Sequence, residues 1–180
     1  IEYRPKWNVV ALDAASRTVT SELGEKVTGD VLNILPQQRA ADIARKIGVV
    51  NVNDRWAEVN WITLESTAVA KVHVLGDALS AAPLMPKSGH MANQHGKAVA
   101  AAIVEIFSGR EPQPTLMANT CYSMVDGKRA IHVDSVHRYN PEKKVPLVVE
   151  GSGGVSKEAS VEEGIYTRAW ATTIWKDVLG

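Results

Sequence analysis

The stretch Val72-His73-Val74-Leu75-Gly76-Asp77 decides how the rest of this sequence is read. It closes the largely apolar run Ala68 to Leu75, whose pattern predicts a buried strand. At Gly76 the absence of a Cβ lets the backbone approach a ligand closely, and Asp77 offers a carboxylate to accept hydrogen bonds. A loop with Pro83 and Pro86 follows, and then a helical pattern runs from Ser88 to about Phe107, closed by Ser108-Gly109. Ser88 suits the N-cap, because its hydroxyl can accept from a backbone N–H two or three residues on. The start of that helix presents free N–H groups and the positive end of the dipole, which attract an electron-rich ligand group. Taken alone, strand, Gly-Asp turn and helix also describe an ordinary turn in an α/β domain.

Working back toward the first residue, residues 9–35 read as β structure. Val9 to Leu12 and Thr18 to Thr20 are strand-like, separated by a turn at Asp13 to Ser16, and Leu23-Gly24 marks a second turn. Val31 to Leu35 is an apolar run that predicts a buried strand ended by Pro36. In residues 37–47 the period changes: Ala40, Ile43, Ala44 and Ile47 share one helix face, and Gly48 stands where a glycine C-cap belongs. Residues 49–67 read as an extended connection with short strands.

Toward the last residue, the Pro-rich segment 110–118 marks a domain boundary. Strands are expected at Thr120 to Val125, Ala130 to Tyr139 and Val145 to Val149, with turns at Asp126-Gly127 and Asn140-Pro141. Gly151 to Gly154 is a joint before a final helix from about Val161 to Leu179. Ser160 and Glu163 fit a capping box there, and Ile165, Ala169, Trp170, Ile174 and Val178 give the helix an apolar side.

Composition narrows the function classes. Twenty acidic residues balance twenty basic ones in the 180-residue chain. That balance argues against a nucleic-acid surface or a polybasic membrane-docking face. No stretch approaches the roughly 20 apolar residues of a membrane span. The chain opens on Ile1, so it reads as processed, trimmed or a fragment. Cys121 is the single cysteine, which excludes a disulfide within this segment. His73, His90, His95, His132 and His137 form no metal signature: His90 and His95 are five apart, and His132 and His137 fall on opposite faces of a strand. Solvated or hydrogen-bonded histidines are the plain reading, with His90 the open case beside the 85–89 loop. Lys87 by itself reads as solvated. Cys121 by itself reads as a small buried side chain.

Three strings in order carry a resemblance. They are His73 to Ala78 with Met85-Pro86-Lys87-Ser88-Gly89, Ala92-Asn93 and Gly96-Lys97-Ala98, then Asn119-Thr120-Cys121-Tyr122-Ser123, then Gly151 to Ser156 with its helix, and the resemblance they carry covers nearly the whole chain. The set resembles the C-terminal part of the flavoprotein subunit of flavocytochrome c sulfide dehydrogenases, within the pyridine-nucleotide-disulfide-oxidoreductase-like group. The resemblance implies an α/β chain with an α+β C-terminal domain. Residues 1–112 would be the rear of an FAD/NAD(P)-binding-type region, and residues 113–180 a small domain covering the flavin. It implies that Gly76 gives access to FAD and that Asp77 binds its ribityl chain. Lys87, Ser88 and Gly89 would lie near the flavin, and Trp170 near its ring. Cys121 would be half of a redox-active disulfide. It also implies a small inorganic sulfur substrate such as sulfide, a c-type cytochrome partner and a periplasmic setting.

The family's Gly-rich fingerprint for the FAD pyrophosphate is absent from this sequence, and so is a partner cysteine. The chain is thus expected to hold half of a flavin site, to need the N-terminal half of the flavoprotein, and to be inactive alone. Two alternatives remain: a quinone-linked reductase of the same group, and a non-catalytic assembly domain.

Overall fold

The computed structural model describes residues 2–180. The chain divides into two compact units, Ile1–Gln38 and Arg39–Gly180.

The first unit is an antiparallel meander of β1 (Val9–Asp13), β2 (Thr18–Ser21) and β3 (Lys26–Thr28). The Asp13 carboxylate accepts from the N–H groups of Ala15 and Ser16, which closes the first turn. Gly24, at φ 81°, supplies the left-handed residue of the second. The strand expected at Val31–Leu35 does not form: these residues pair with no other strand, and Val31 and Leu35 are almost fully exposed. A nearly continuous apolar run, interrupted only by Asn33, carries no alternation, so its pattern alone could not specify a pairing partner.

The second unit begins with α1 (Asp42–Lys46), shorter than the helix expected over 37–47. Ala40 and Ala44 are buried, whereas Ile43 and Ile47 face solvent. The Ala40 N–H donates to the Arg55 carbonyl, so the small side chains lie against the hairpin that follows. Gly48 ends the helix as expected: at φ 81° its N–H reaches the Arg45 carbonyl and that of Val49 the Ala44 carbonyl, a Schellman closure. The hairpin is β4 (Val50–Val52) with β5 (Trp56–Ala57).

No strand forms over Ala68–Leu75. Ser66 Oγ accepts from the N–H groups of Ala68 and Val69, and the Glu65 carboxylate accepts from that of Lys71. These side chains offer the backbone a turn in place of a ladder, and only the isolated bridge Glu65↔His73 remains. Val74 is nonetheless buried in the core. Gly76–Ala78 is a single 3₁₀ turn.

The long helix α2 (Gly89–Phe107) starts and stops where its sequence predicts, with Ser88 Oγ accepting from the Met91 N–H. Its inner face, Met91, His95, Ala98, Val99 and Ala102, keeps helical spacing and enters the core beside Leu64, Leu79 and Met117. Full burial of a leucine such as Leu64 or Leu79 contributes about 2–3 kcal/mol. Residues 110–116 link α2 to an antiparallel sheet of β6 (Met117–Met124), β7 (Ala130–Asn140) and β8 (Val145–Val148), with β9 (Gly154–Val155) paired to β7. Helix and strand are mixed as expected. Every sheet among the described residues is antiparallel.

The final helix, α3 (Val161–Leu179), has the predicted bounds but a different inner face. Gly164, Thr167, Trp170, Ala171 and Ile174 turn inward, while Ile165, Ala169 and Val178 are exposed. A Cβ at Gly164 would stand 1.8 Å from the Lys128 carbonyl oxygen, so the helix lies directly on the β6–β7 turn. Arg168 donates to the Gly127 carbonyl of that turn. The capping box is half made. Ser160 Oγ accepts from the Glu163 N–H, but the Glu163 carboxylate turns away to His132 Nδ1 at 2.7 Å and Ser156 Oγ at 3.1 Å. At its other end Asp177 binds Asn93 and Lys97 of α2.

Candidate functional site

The candidate residues gather at the N-terminal end of α2. Gly76 packs there because a Cβ would meet the Ala92 Cβ at 3.2 Å, and its φ of 65° favours glycine. This glycine provides close packing on α2. Its N–H donates to His95 Nδ1 at 3.2 Å. Asp77 is exposed, and its carboxylate has no hydrogen-bond partner among the described residues.

Lys87 is not the solvated side chain its type suggests. Its ammonium donates to the carbonyls of Asp77 at 2.7 Å and Leu79 at 2.5 Å, and lies 3.8 Å from the centre of the Trp56 ring. Burial lowers its pKa. Two of its three donors go to the 77–79 backbone, so Lys87 braces that turn against the start of α2.

Ser88 caps α2 with one lone pair and donates its proton to Asn119 Oδ1 at 2.5 Å. The N–H groups of Gly89 and His90 remain without an acceptor among the described residues, as the first turn of a helix dictates. A Cβ at Gly89 would meet nothing within 4 Å, so that position opens onto free space.

Strand β6 runs past the same helix end. Met117, Asn119 and Cys121 alternate onto one face of the strand; Met117 and Asn119 are buried and Cys121 is half-buried. Asn119 Nδ2 lies 3.4 Å from Cys121 Sγ. The Thr120 N–H donates to His90 Nδ1 at 3.0 Å, which fastens the strand to the second residue of α2. Burial lowers the His90 pKa, and with Nδ1 accepting from Thr120 the neutral ring carries its proton on Nε2.

Trp170 of α3 completes the group. Its ring meets His90 edge-on at 5.7 Å and Tyr122 at 6.0 Å, and Tyr122 continues to His132 at 6.1 Å. Trp175 diverges, as a spacing of five predicts, and is exposed. Trp170 and His90 also line a cleft of about 190 Å³ between α2 and α3, together with Asn93, Lys97 and Asp177.

Asp77 through Lys87, Cys121 through Asn119 and Ser88, and Trp170 through His90 thus reach the start of α2, where Gly89 is the first helical residue and Gly76 packs on Ala92. Asn119, Thr120 and His90 provide the joints that motif reading passed over. Their signal was present: Asn119 has the same strand parity as Cys121, and His90 stands two residues after the cap. Two histidines take the hydrogen-bonded form of the plain reading, His95 with the Gly76 N–H and His137 with Ser135. His95 and His137 are almost fully buried, and burial brings His95 down to about 4.

The groups present fit one end of a flavin. They comprise an unpaired carboxylate beside a tight turn, two free N–H groups of a helix start with open space before them, and an aromatic wall. Nothing among the described residues supplies the Gly-rich turn that a pyrophosphate would need.

Residues 112–179 match the family model described as Flavocytochrome c sulphide dehydrogenase, flavin-binding. The match spans Cys121, the sheet β6–β9 and α3. Over those residues the chain is similar to the flavin-binding domain of flavocytochrome c sulphide dehydrogenases. No helix among the described residues is long and apolar enough to cross a membrane.

Proposed function

We propose that the chain is the flavin-covering, cysteine-bearing part of an FAD enzyme that oxidises sulfide or another reduced inorganic sulfur compound and passes electrons to a c-type cytochrome. The observation that carries this reading is the meeting of the Asp77 turn, the start of α2, the Cys121 strand and Trp170 at one place, in a chain whose residues 112–179 match the flavin-binding family. On this reading residues 1–112 finish an FAD/NAD(P)-binding region, and residues 113–180 form the covering domain. The N-terminal half of the flavoprotein completes the site, and the complex works in the periplasm.

FAD, when bound, accepts an electron pair and releases electrons singly to the cytochrome. The chain's own residues hold and shield it. Asp77 would accept hydrogen bonds from ribityl hydroxyls. The N–H groups of Gly89 and His90 would be available to an electron-rich ring carbonyl. Lys87 would keep the two in register. Trp170 would exclude water from one side of the ring. Cys121 pairs with a cysteine outside this sequence. A sulfide nucleophile opens that disulfide, forming a persulfide on one cysteine and releasing the other as a thiolate.

Replacing Cys121 by Ser in the intact flavoprotein tests the sulfur step. The expected result is loss of sulfide-dependent cytochrome reduction, with FAD content unchanged. Undiminished reduction by that variant would remove the disulfide from the reaction.

The quinone-linked alternative draws on one observation: Ile165, Trp175, Val178 and Leu179 of α3 are exposed, an apolar set that could meet a membrane surface. Co-sedimentation of the intact protein with lipid vesicles would favour that alternative, and its absence the cytochrome-linked reading.

A further inference from the structure

We infer that Asn119 is a positioning residue for Cys121, its amide fixed by the cap of α2 so that an N–H faces the sulfur. The inference rests on the proposal that Cys121 is the reactive sulfur, and it concerns what prepares that sulfur.

Asn119 is 2 % exposed. A buried primary amide is costly unless both its oxygen and its nitrogen find partners. Ser88 decides which end goes where. Its Oγ already accepts from the Met91 N–H at 3.1 Å, and its one hydroxyl proton has Asn119 Oδ1 at 2.5 Å. A hydroxyl that donates must find an oxygen, so Oδ1 faces Ser88 and Nδ2 faces the other way. On that side lies Cys121 Sγ, 3.4 Å from Nδ2 and 3.8 Å from Oδ1. The spacing of two along β6 brings both side chains onto one face of the strand, so the contact follows from the backbone.

The arrangement serves both forms of the sulfur. As a thiol it can donate weakly to Oδ1. As a thiolate it accepts from Nδ2–H, a charge-assisted hydrogen bond and the stronger of the two. Ser88 also ties the amide to the positive end of α2, so the sulfur is one side chain removed from the helix dipole. Asn119 therefore favours the ionised sulfur, the form that leaves when a disulfide opens and the form that is nucleophilic.

The test is the rate of Cys121 alkylation by iodoacetamide in the reduced chain, followed against pH. Asn119→Leu removes the donor at similar volume, and Asn119→Asp replaces it with a carboxylate oxygen. Both are expected to react about tenfold more slowly at neutral pH, the loss of one hydrogen bond to a charged group. Their profiles should move to higher pH and reach the wild-type maximum there. That common maximum separates a chemical effect from a change in access. Ser88→Ala frees the amide to rotate and is expected to slow the reaction in the same manner, while Ser88→Thr, which keeps the hydroxyl, restores it. Should the Asn119 variants fail to fold, the Ser88 pair decides alone. Wild-type profiles in folded Asn119→Leu, or in Ser88→Ala, would overturn the inference. The experiment needs no flavin, so its outcome is independent of whether the intact protein binds FAD.

Discussion

At the scale of single residues, the site is built from side chains that hold backbone in place. Lys87 gives its protons to two carbonyls, and His90 and His95 each accept a backbone N–H at Nδ1. Residue type alone suggested a solvated lysine and solvated or hydrogen-bonded histidines, without naming their partners. Their partners are carbonyls and N–H groups up to 30 residues away, which no local pattern can encode. His95 has a measurable consequence. Burial lowers its pKa from 6.5 to about 4 in the folded chain. The unfolded chain therefore binds the proton more readily between those values. The stability that His95 contributes is present above pH 6.5 and is lost as pH falls toward 4, a difference of about 3 kcal/mol. His90 and His137 shift in the same direction through burial. Urea unfolding followed across this range should show the decline, and His95→Gln should flatten it. An equally steep decline in that variant would assign the acid sensitivity elsewhere.

Among the elements, α2 and α3 were legible almost to the residue, because each carries a serine cap followed by a long helical period. The Ala68–Leu75 strand was not, because Glu65 and Ser66 capture the N–H groups a ladder would need. The inner face of α3 was also misjudged. Trp170 and Ile174 face inward as expected, but Gly164 rather than Ile165, Ala169 or Val178 completes the face, since the helix must come within contact of the β6–β7 turn. Gly164→Ala tests this. In an exposed helix the change would stabilise by about 1 kcal/mol through helix propensity. Here the new methyl collides with the Lys128 carbonyl, so a net loss of about 2–3 kcal/mol is expected, read as a lower melting temperature. A raised melting temperature would mean that α3 stands off the sheet.

For the whole molecule, the mixed helix and strand content and the order of the motifs were readable, and the family match over residues 112–179 agrees with the resemblance drawn from them. The two-unit division at residue 38 was not, because no composition change marks it. What the order of motifs could not convey is that Gly76-Asp77, Lys87-Ser88-Gly89, Cys121 and Trp170 converge, since that depends on β6 docking on α2 through Asn119 and His90. Convergence gives the Gly76-Asp77 turn its meaning. The glycine packs on α2, the Asp77 carboxylate stands exposed, and on the proposed function it is the group that meets the flavin. The decisive measurement is the FAD content and affinity of the intact flavoprotein carrying Asp77→Ala. Loss of the visible flavin bands on gel filtration is expected, or an FAD affinity weaker by at least about tenfold, with the melting temperature of the apoprotein unchanged. Full FAD content with unaltered affinity would contradict the placement of the flavin at this end of α2.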